Sequence, residues 1–302
     1  MNKFISILFY GNIFLGICAA ALCIETNLLT GITLNVFPFY LLIFFCTCIY
    51  YTNIYVRSVS VKNYNERALW YKNNLTTIRK TLTVAILLVI IFLLFFVLKN
   101  WYALLSLSST QMLLVITLPF IAFWYTFSPA VFRLKKIRQT GWIKPFAVGF
   151  TWAGWVTVYP VVISKVQTGR PIVTIISACI LLWLQNFLFF SINAIIFDIK
   201  DYRTDSHYQL KTYPVIFGIK NTFRFIIIPL ILVNLIIFTL FQLQQNFSFL
   251  QTLIQLIPYM FLVFIIAKYR QGRSVLYYLA AVDGLVFLKA VCGIASILLI
   301  KK

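Results

Sequence analysis

Acidic side chains are almost missing from this chain of 302 residues: there are 6, against 26 lysines and arginines, for a formal net charge of +20. Charge of either sign is scarce as well, at 11% of residues, while 62% are hydrophobic. A soluble domain carries about 25% charged and 45–50% apolar residues, so a soluble enzyme is excluded. There is a single histidine, His207. That excludes histidine-box and multi-histidine metal centres and leaves no Ser–His or Cys–His pair to propose, and His207 reads as a solvated loop residue. The six cysteines, at 18, 23, 46, 48, 179 and 292, all fall within apolar runs. They offer neither a disulfide framework nor a metal spacing, and Cys46-Thr-Cys48 reads as helix packing. Interdomain linkers and low-complexity stretches are lacking too, so a single integral domain over 1–302 is expected.

What the chain has instead is apolar runs of spanning length, without strand-like alternation. Such runs specify transmembrane helices. They predict an all-α bundle of nine spans, near 4–23, 36–55, 82–98, 112–127, 146–163, 172–197, 225–241, 250–267 and 276–299. Cys18-Ala-Ala-Ala has the small residues of a signal-peptide cleavage site, but the first span of a multi-pass protein is normally retained. The large positive charge follows membrane topology rather than nucleic acid. With nine spans starting inside, 20 of the 26 basic residues fall in cytoplasmic segments and five in outer ones. This predicts a cytoplasmic N-terminus and an outer C-terminus. A bacterial cytoplasmic membrane fits this pattern, and the basic inner loops suit anionic headgroups and phosphate substrates.

Half of the scarce carboxylates lie together. In FDIKDYRTDSHYQLKTYPVIFG, Phe197 to Gly218, Asp198, Asp201 and Asp205 follow the end of a long apolar run. On a helix the spacing i, i+3, i+7 puts them within about 60° of arc. Carboxylates beside a membrane core are costly unless a cation occupies them. Hard oxygen ligands suit Mg²⁺, and Mg²⁺ suits a diphosphate. Upstream, Asn186 and Asn193 lie on the same side of the sixth span as Asp201. They read either as a hydrophilic stripe leading into a cavity or as ordinary interhelical hydrogen bonding.

FDIKDYRTD followed by KTYPVIFG resembles the second aspartate-rich motif of the UbiA-type intramembrane prenyltransferases. Asp198, Asp201, Asp205, Thr212, Pro214 and Gly218 match it, after the sixth of nine spans. A basic loop after the fourth span, with Tyr125 before it and Gly149-Phe-Thr-Trp152 after it, also fits. The resemblance implies a nine-helix bundle around a lateral cavity. It implies that Mg²⁺ binds an isoprenoid diphosphate and that an allylic cation alkylates a lipophilic acceptor, aromatic or quinone-type. Asp198, Asp201 and Asp205 would then hold Mg²⁺-diphosphate, assisted by Asn53, Arg57, Lys211, Tyr125 and Asn193.

One departure is large. The family's first motif, N-D-x-x-D-x-x-x-D, ends the second span, but the matching stretch here is NIYVRSVSV. Asn53 fits, whereas Ile54, Arg57 and Val61 stand where carboxylates belong. Three explanations are open. Arg57, one turn after Asn53, replaces the second ion by gripping phosphate. Alternatively Asn63, Asn65 and Glu66 supply other oxygen ligands. Or the fold has outlived the chemistry and now binds a lipid or quinone, or serves as an assembly partner. Lys200, Arg203, Lys211 and Lys220 beside the aspartates, and Lys135, Lys136 and Arg138 after the fourth span, divide between phosphate contacts and topology. Asp283 and Lys289 lie within the last span, and intramembrane charges invite a functional reading. Six residues apart, they point in different directions, so Asp283 should face the cavity or pair on a neighbouring helix.

Overall fold

A computed structural model describes residues 3–58, 66–127, 141–169, 175–268 and 274–300, the side chains at 58 and 124–127 excepted. Helix is the only regular structure among the described residues. The elements are α1 (Lys3–Tyr10), α2 (Ile13–Leu29), α3 (Phe37–Ser58), α4 (Glu66–Asn73), α5 (Leu75–Lys99), α6 (Trp101–Leu105) and α7 (Ser109–Phe127). They continue with α8 (Lys144–Ala153), α9 (Tyr159–Thr168), α10 (Ile176–Lys200), α11 (Tyr202–His207), α12 (Tyr213–Phe217) and α13 (Ile219–Thr222). The last three are α14 (Ile228–Gln245), α15 (Phe249–Ala267) and α16 (Val275–Leu298).

Seven helices are long and apolar enough to cross a membrane, or eight if α1 and α2 make one bent span. Where the fourth of nine spans was expected, α7 covers Ser109–Phe127, and the part of it whose side chains are described, Ser109–Phe123, is apolar. The expected first span, 4–23, is not straight. It bends by 54° between α1 and α2, and the second piece runs on to Leu29. Asn12 sits at the bend in the left-handed conformation, at φ 61°, which asparagine tolerates better than most residues. Its side chain is drawn off the helix to Thr52 and Tyr71, at 3.1 and 3.0 Å. The extension carries Glu25, expected in an outer loop, into the buried interior.

Two spans are interrupted by a π-turn, at Gly154–Val158 between α8 and α9 and at Phe223–Ile227 before α14. Each immediately precedes a proline at the start of the following helix. Proline has no N–H to return to the preceding turn. Opposite Pro160, the freed carbonyl of Val156 takes the hydroxyl of Thr26 at 2.7 Å instead.

The interior is built around α10. Phe189, Phe190, Ile192, Ile195, Ile196 and Ile199 from this helix meet Cys18, Leu22, Val282 and Leu285 in one core. The helix packs on α8 and α14, while α16 lies between α2 and α15. By contrast α5 buries only Ile78, so its apolar surface is left for lipid. Polar bonds stitch the spans: Gln185 to Tyr259 at 2.7 Å, Gln242 to Gln255 at 2.8 Å, and Gln255 to Ser296 at 3.0 Å. The strongest is Lys289, which reaches both oxygens of Glu25 at 3.0 and 2.9 Å. The charge pairing expected for the last span therefore belongs to Lys289, and Asp283 is left for another role.

Candidate functional site

A cavity of about 520 Å³ opens between α2, α3, α7, α8, α10 and α16. Its size falls in the range of ligand pockets, roughly 300–1,000 Å³. Tyr50, Tyr51, Trp152, Trp155 and Phe190 form much of its wall. Two of these rings are anchored: the Trp152 indole donates to the Tyr51 hydroxyl at 2.6 Å, and the Trp155 indole to Thr47 at 3.2 Å. The charged residues on its lining are Lys144, Asp198, Lys200, Asp201, Arg67 and Asp283.

Two glycines bring the first of these together. A Cβ on Gly149 would lie 2.6 Å from the Phe187 carbonyl oxygen, so only glycine lets α8 cross α10 this closely. A Cβ on Gly141 would lie 2.4 Å from the carbonyl carbon of Lys211, so the chain entering α8 rests on the segment after α11. Lys144, the first residue of α8, is thereby set against the last turn of α10. Its ammonium pairs with Asp198, which is fully buried, whereas the lysine side chain keeps 23% exposure. A lysine at a helix N-terminus adds its charge to the dipole's positive end, a combination that favours an anion.

The three aspartates do not share one helix face. Asp198 is in α10, Asp205 is in α11, and Asp201 caps the break between them at φ −87°, ψ 6°. Asp201 pairs with Lys200 at 3.1 Å and its side chain is 46% exposed. Asp205 is buried, and burial lifts its carboxyl to about 6; Asp198 and Asp201 push the same way, against Lys144 and Lys200. Among the described residues no three His, Cys, Asp or Glu side chains are close enough to hold a metal ion. Yet one oxygen each of Asp198 and Asp205 is buried with no hydrogen-bond partner. An orphaned carboxylate oxygen is costly. Mg²⁺ is commonly held by one or two carboxylates plus substrate phosphates and waters, so two such oxygens fit that ion as half a site.

The other expected residues divide. Asn193 borders the cavity, its amide donating to the Phe189 carbonyl at 3.0 Å and its oxygen buried without a partner. Asn186 instead bonds Thr157 at 2.9 Å, so the asparagine stripe is half structural and half cavity. Asn53 and Arg57 bond each other at 3.2 Å on α3, where Arg57 is exposed, and neither is on the cavity lining. The Lys211 side chain is exposed and is not on the lining either. The side chain of Tyr125 and residues Lys135, Lys136, Arg138, Val61, Asn63 and Asn65 lie outside the described residues. Glu66 is exposed, accepting from the Tyr10 hydroxyl at 3.3 Å. Thr212 and Pro214 are buried and His207 is exposed.

Sequence reasoning passed over two cations. Lys144 follows the basic stretch after the fourth expected span, and nothing in its spacing sets it apart. Arg67 is 4% exposed, an unusual burial for arginine. Its guanidinium lies 3.9 Å over the Tyr55 ring and donates to Asn12 at 2.5 Å, Tyr55 at 3.0 Å and the Tyr10 carbonyl at 3.2 Å. The stretch lacking the first motif thus has a buried cation close by in the chain, Arg67, whereas Arg57 is exposed.

No protein-family model and no curated protein matches the sequence. The fold does have a likeness among solved structures. One reported for digeranylgeranylglyceryl phosphate synthase in membranes aligns with 99% of this chain and 100% of its own, at a TM-score of 0.59 and 14% identity. At that identity the likeness is one of fold: a helical, multi-pass membrane architecture shared along the whole length.

Proposed function

We propose that the chain is a UbiA-like, Mg²⁺-dependent prenyltransferase, moving an isoprenoid group from its diphosphate to a lipophilic acceptor in the membrane. The observation that carries this reading is the cavity itself. An aromatic chamber meets Lys144, Asp198 and Asp201 at the end of α10, with the motif that resembles the family's second one, on a fold shared with a synthase of UbiA type. Nine spans, with α7 as the fourth, and a cytoplasmic motif side in a bacterial inner membrane belong to the same proposal.

Each residue has a role in this reading. Lys144 and the N-terminus of α8 receive the diphosphate, as a cation and a helix dipole aimed at one anion. The orphaned oxygens of Asp198 and Asp205, with Asp201 beside them, hold the metal. Mg²⁺ bound there would neutralise charge on the departing diphosphate. Asn193 offers a polar contact inside the chamber. The rings of Tyr51, Trp152, Trp155 and Phe190 exclude water and tolerate a carbocation. Arg67 contributes the positive charge that the missing first motif would have recruited with a second ion.

A second reading is a non-catalytic lipid- or quinone-binding protein or assembly partner on the same bundle. The missing carboxylates of NIYVRSVSV favour it. So does the Asp198 carboxylate, already engaged by Lys144. Binding of farnesyl and geranylgeranyl diphosphate to the purified protein, with and without Mg²⁺, separates the two. The transferase reading expects binding that needs both the metal and Asp201, and that is lost in Asp201→Asn while the protein still inserts. Binding that survives in Asp201→Asn, or none at all in a well-folded sample, overturns it.

A further inference from the structure

The cavity has a second polar group that the aspartate motif does not include. Asp283, in α16, borders it and is 8% exposed. Its carboxylate makes no hydrogen bond or ion pair with any described residue. The cations whose charge acts on it are Arg67, on α4, and Lys200. Arg67 is tied to Asn12, Tyr55 and the Tyr10 carbonyl, but its Nε is buried without a partner. So a buried acceptor on α16 and a buried donor on α4 both line one chamber with bonding capacity unused. Leaving such groups unpaired costs free energy unless the chamber's contents complete them.

The chemistry of the pair limits what does so. An anionic head group would be drawn to Arg67 but repelled by Asp283. A cation would meet Arg67 and Lys200. A neutral hydroxyl satisfies both, donating to the carboxylate and accepting from the guanidinium. Tyr51, Trp152 and Trp155 favour an aromatic body behind it. We propose that Asp283 and Arg67 form a second polar subsite of the cavity, which binds the hydroxyl of a neutral phenol or quinol. This rests on the prenyl-transfer reading in one respect: the ligand held there is the acceptor. Asp283 then serves as the selectivity element, rejecting acceptors that carry a carboxylate or phosphate.

The test uses three probes of similar size: 2-naphthol, 2-methoxynaphthalene, which has no donor, and 6-hydroxy-2-naphthoate, which is anionic. Each is titrated into the purified full-length protein, following tryptophan fluorescence. A hydrogen bond to a buried charge is expected to make 2-naphthol bind about tenfold or more tightly than its methyl ether. The anion should bind more weakly than 2-naphthol. Asp283→Leu should bring the first two Kd values together and improve that of the anion, with Asp283→Asn between. Comparing ratios in the same micelles cancels probe partitioning. Equal affinities for 2-naphthol and its ether in the unaltered protein, which needs no variant to fold, overturn the subsite. So does a preference that survives in Asp283→Leu. Mg²⁺-dependent diphosphate binding is measured separately. Naphthol selectivity without diphosphate binding keeps the subsite and removes the transferase reading, and the converse removes only the subsite.

Discussion

Two ionic centres inside this bundle use the same chemistry to opposite ends. Lys289 and Glu25 join α16 to α2, each side chain only 4% exposed, with both carboxylate oxygens bonded to the ammonium. A Cβ on Gly293 would lie 2.4 Å from Glu25, so no space is left beside the pair. Lys144 and Asp198 also pair across two helices, but one oxygen of Asp198 has no partner and Lys144 is partly open to the cavity. The first centre is closed and complete; the second is incomplete and open. A charge that the packing has fully satisfied is a fastening, whereas a charge left wanting beside a cavity is a place for a ligand.

Breaking the closed centre should have the largest effect. Lys289→Met leaves Glu25 buried and uncompensated, and loss of one partner of a buried pair costs about 3–5 kcal/mol. A fall of that size should appear in thermal or denaturant unfolding of the detergent-solubilised protein. The double replacement Glu25→Leu with Lys289→Leu should recover much of the loss, because no bare charge remains. Any folded Lys289→Met protein should bind diphosphate normally. A selective loss of ligand binding with unchanged stability would reverse the assignment of the two centres.

The same substitution in the open centre should give the reverse pattern. Lys144→Met removes a charge-assisted contact worth about 1.5–3 kcal/mol, which is roughly ten- to hundredfold in Kd for farnesyl diphosphate. The stability change should be smaller than for Lys289→Met, because Lys144 is less buried and water can reach Asp198 through the cavity. Unfolding and binding measured on the same two variants form a cross-over. Parallel losses in both would remove the distinction.

How much of this was legible in the sequence depended on which residues a short-range pattern can reach. The spans follow from apolar runs, and most ends fall within a few residues of expectation. The bend at Asn12 does not, because its cause is a set of bonds to Thr52, Tyr71 and Arg67, forty or more residues away in the chain. The aspartates stood out because carboxylates are rare here. Lys144 and Arg67 did not, since a basic residue in an inner loop looks the same whether it serves topology or a site. Arg57 drew the phosphate reading because it lies one turn from Asn53, but helical spacing alone does not tell which side of α3 meets the cavity. Glu25 was misplaced in a loop because the first span was ended too early.

Asp205 sharpens the comparison by pH. Burial raises its carboxyl to about 6, above the usual value near 4 for an unfolded aspartate. The folded state therefore holds this proton where the unfolded state has lost it. Stability should fall as pH rises from about 4 through 6 and then level off. In metal-free protein Asp205→Asn should lessen that slope, seen as a flatter profile of unfolding midpoint against pH. A slope that is unchanged in the variant would assign it elsewhere.

The smallest effect is expected at the residue that the sequence favoured as a phosphate ligand. Arg57 is exposed, its guanidinium bonds Asn53 on its own helix, and it is not among the residues bordering the cavity. Pairings of exposed charges contribute about 0–1 kcal/mol. Arg57→Ala should accordingly change diphosphate affinity by less than about fivefold. Side by side with Lys144→Met in one binding titration, it asks whether the anion site reaches as far as Arg57. If Arg57→Ala loses as much affinity as Lys144→Met, the anion site extends from α10 to the end of α3, and the open centre is larger than the cavity that defines it here.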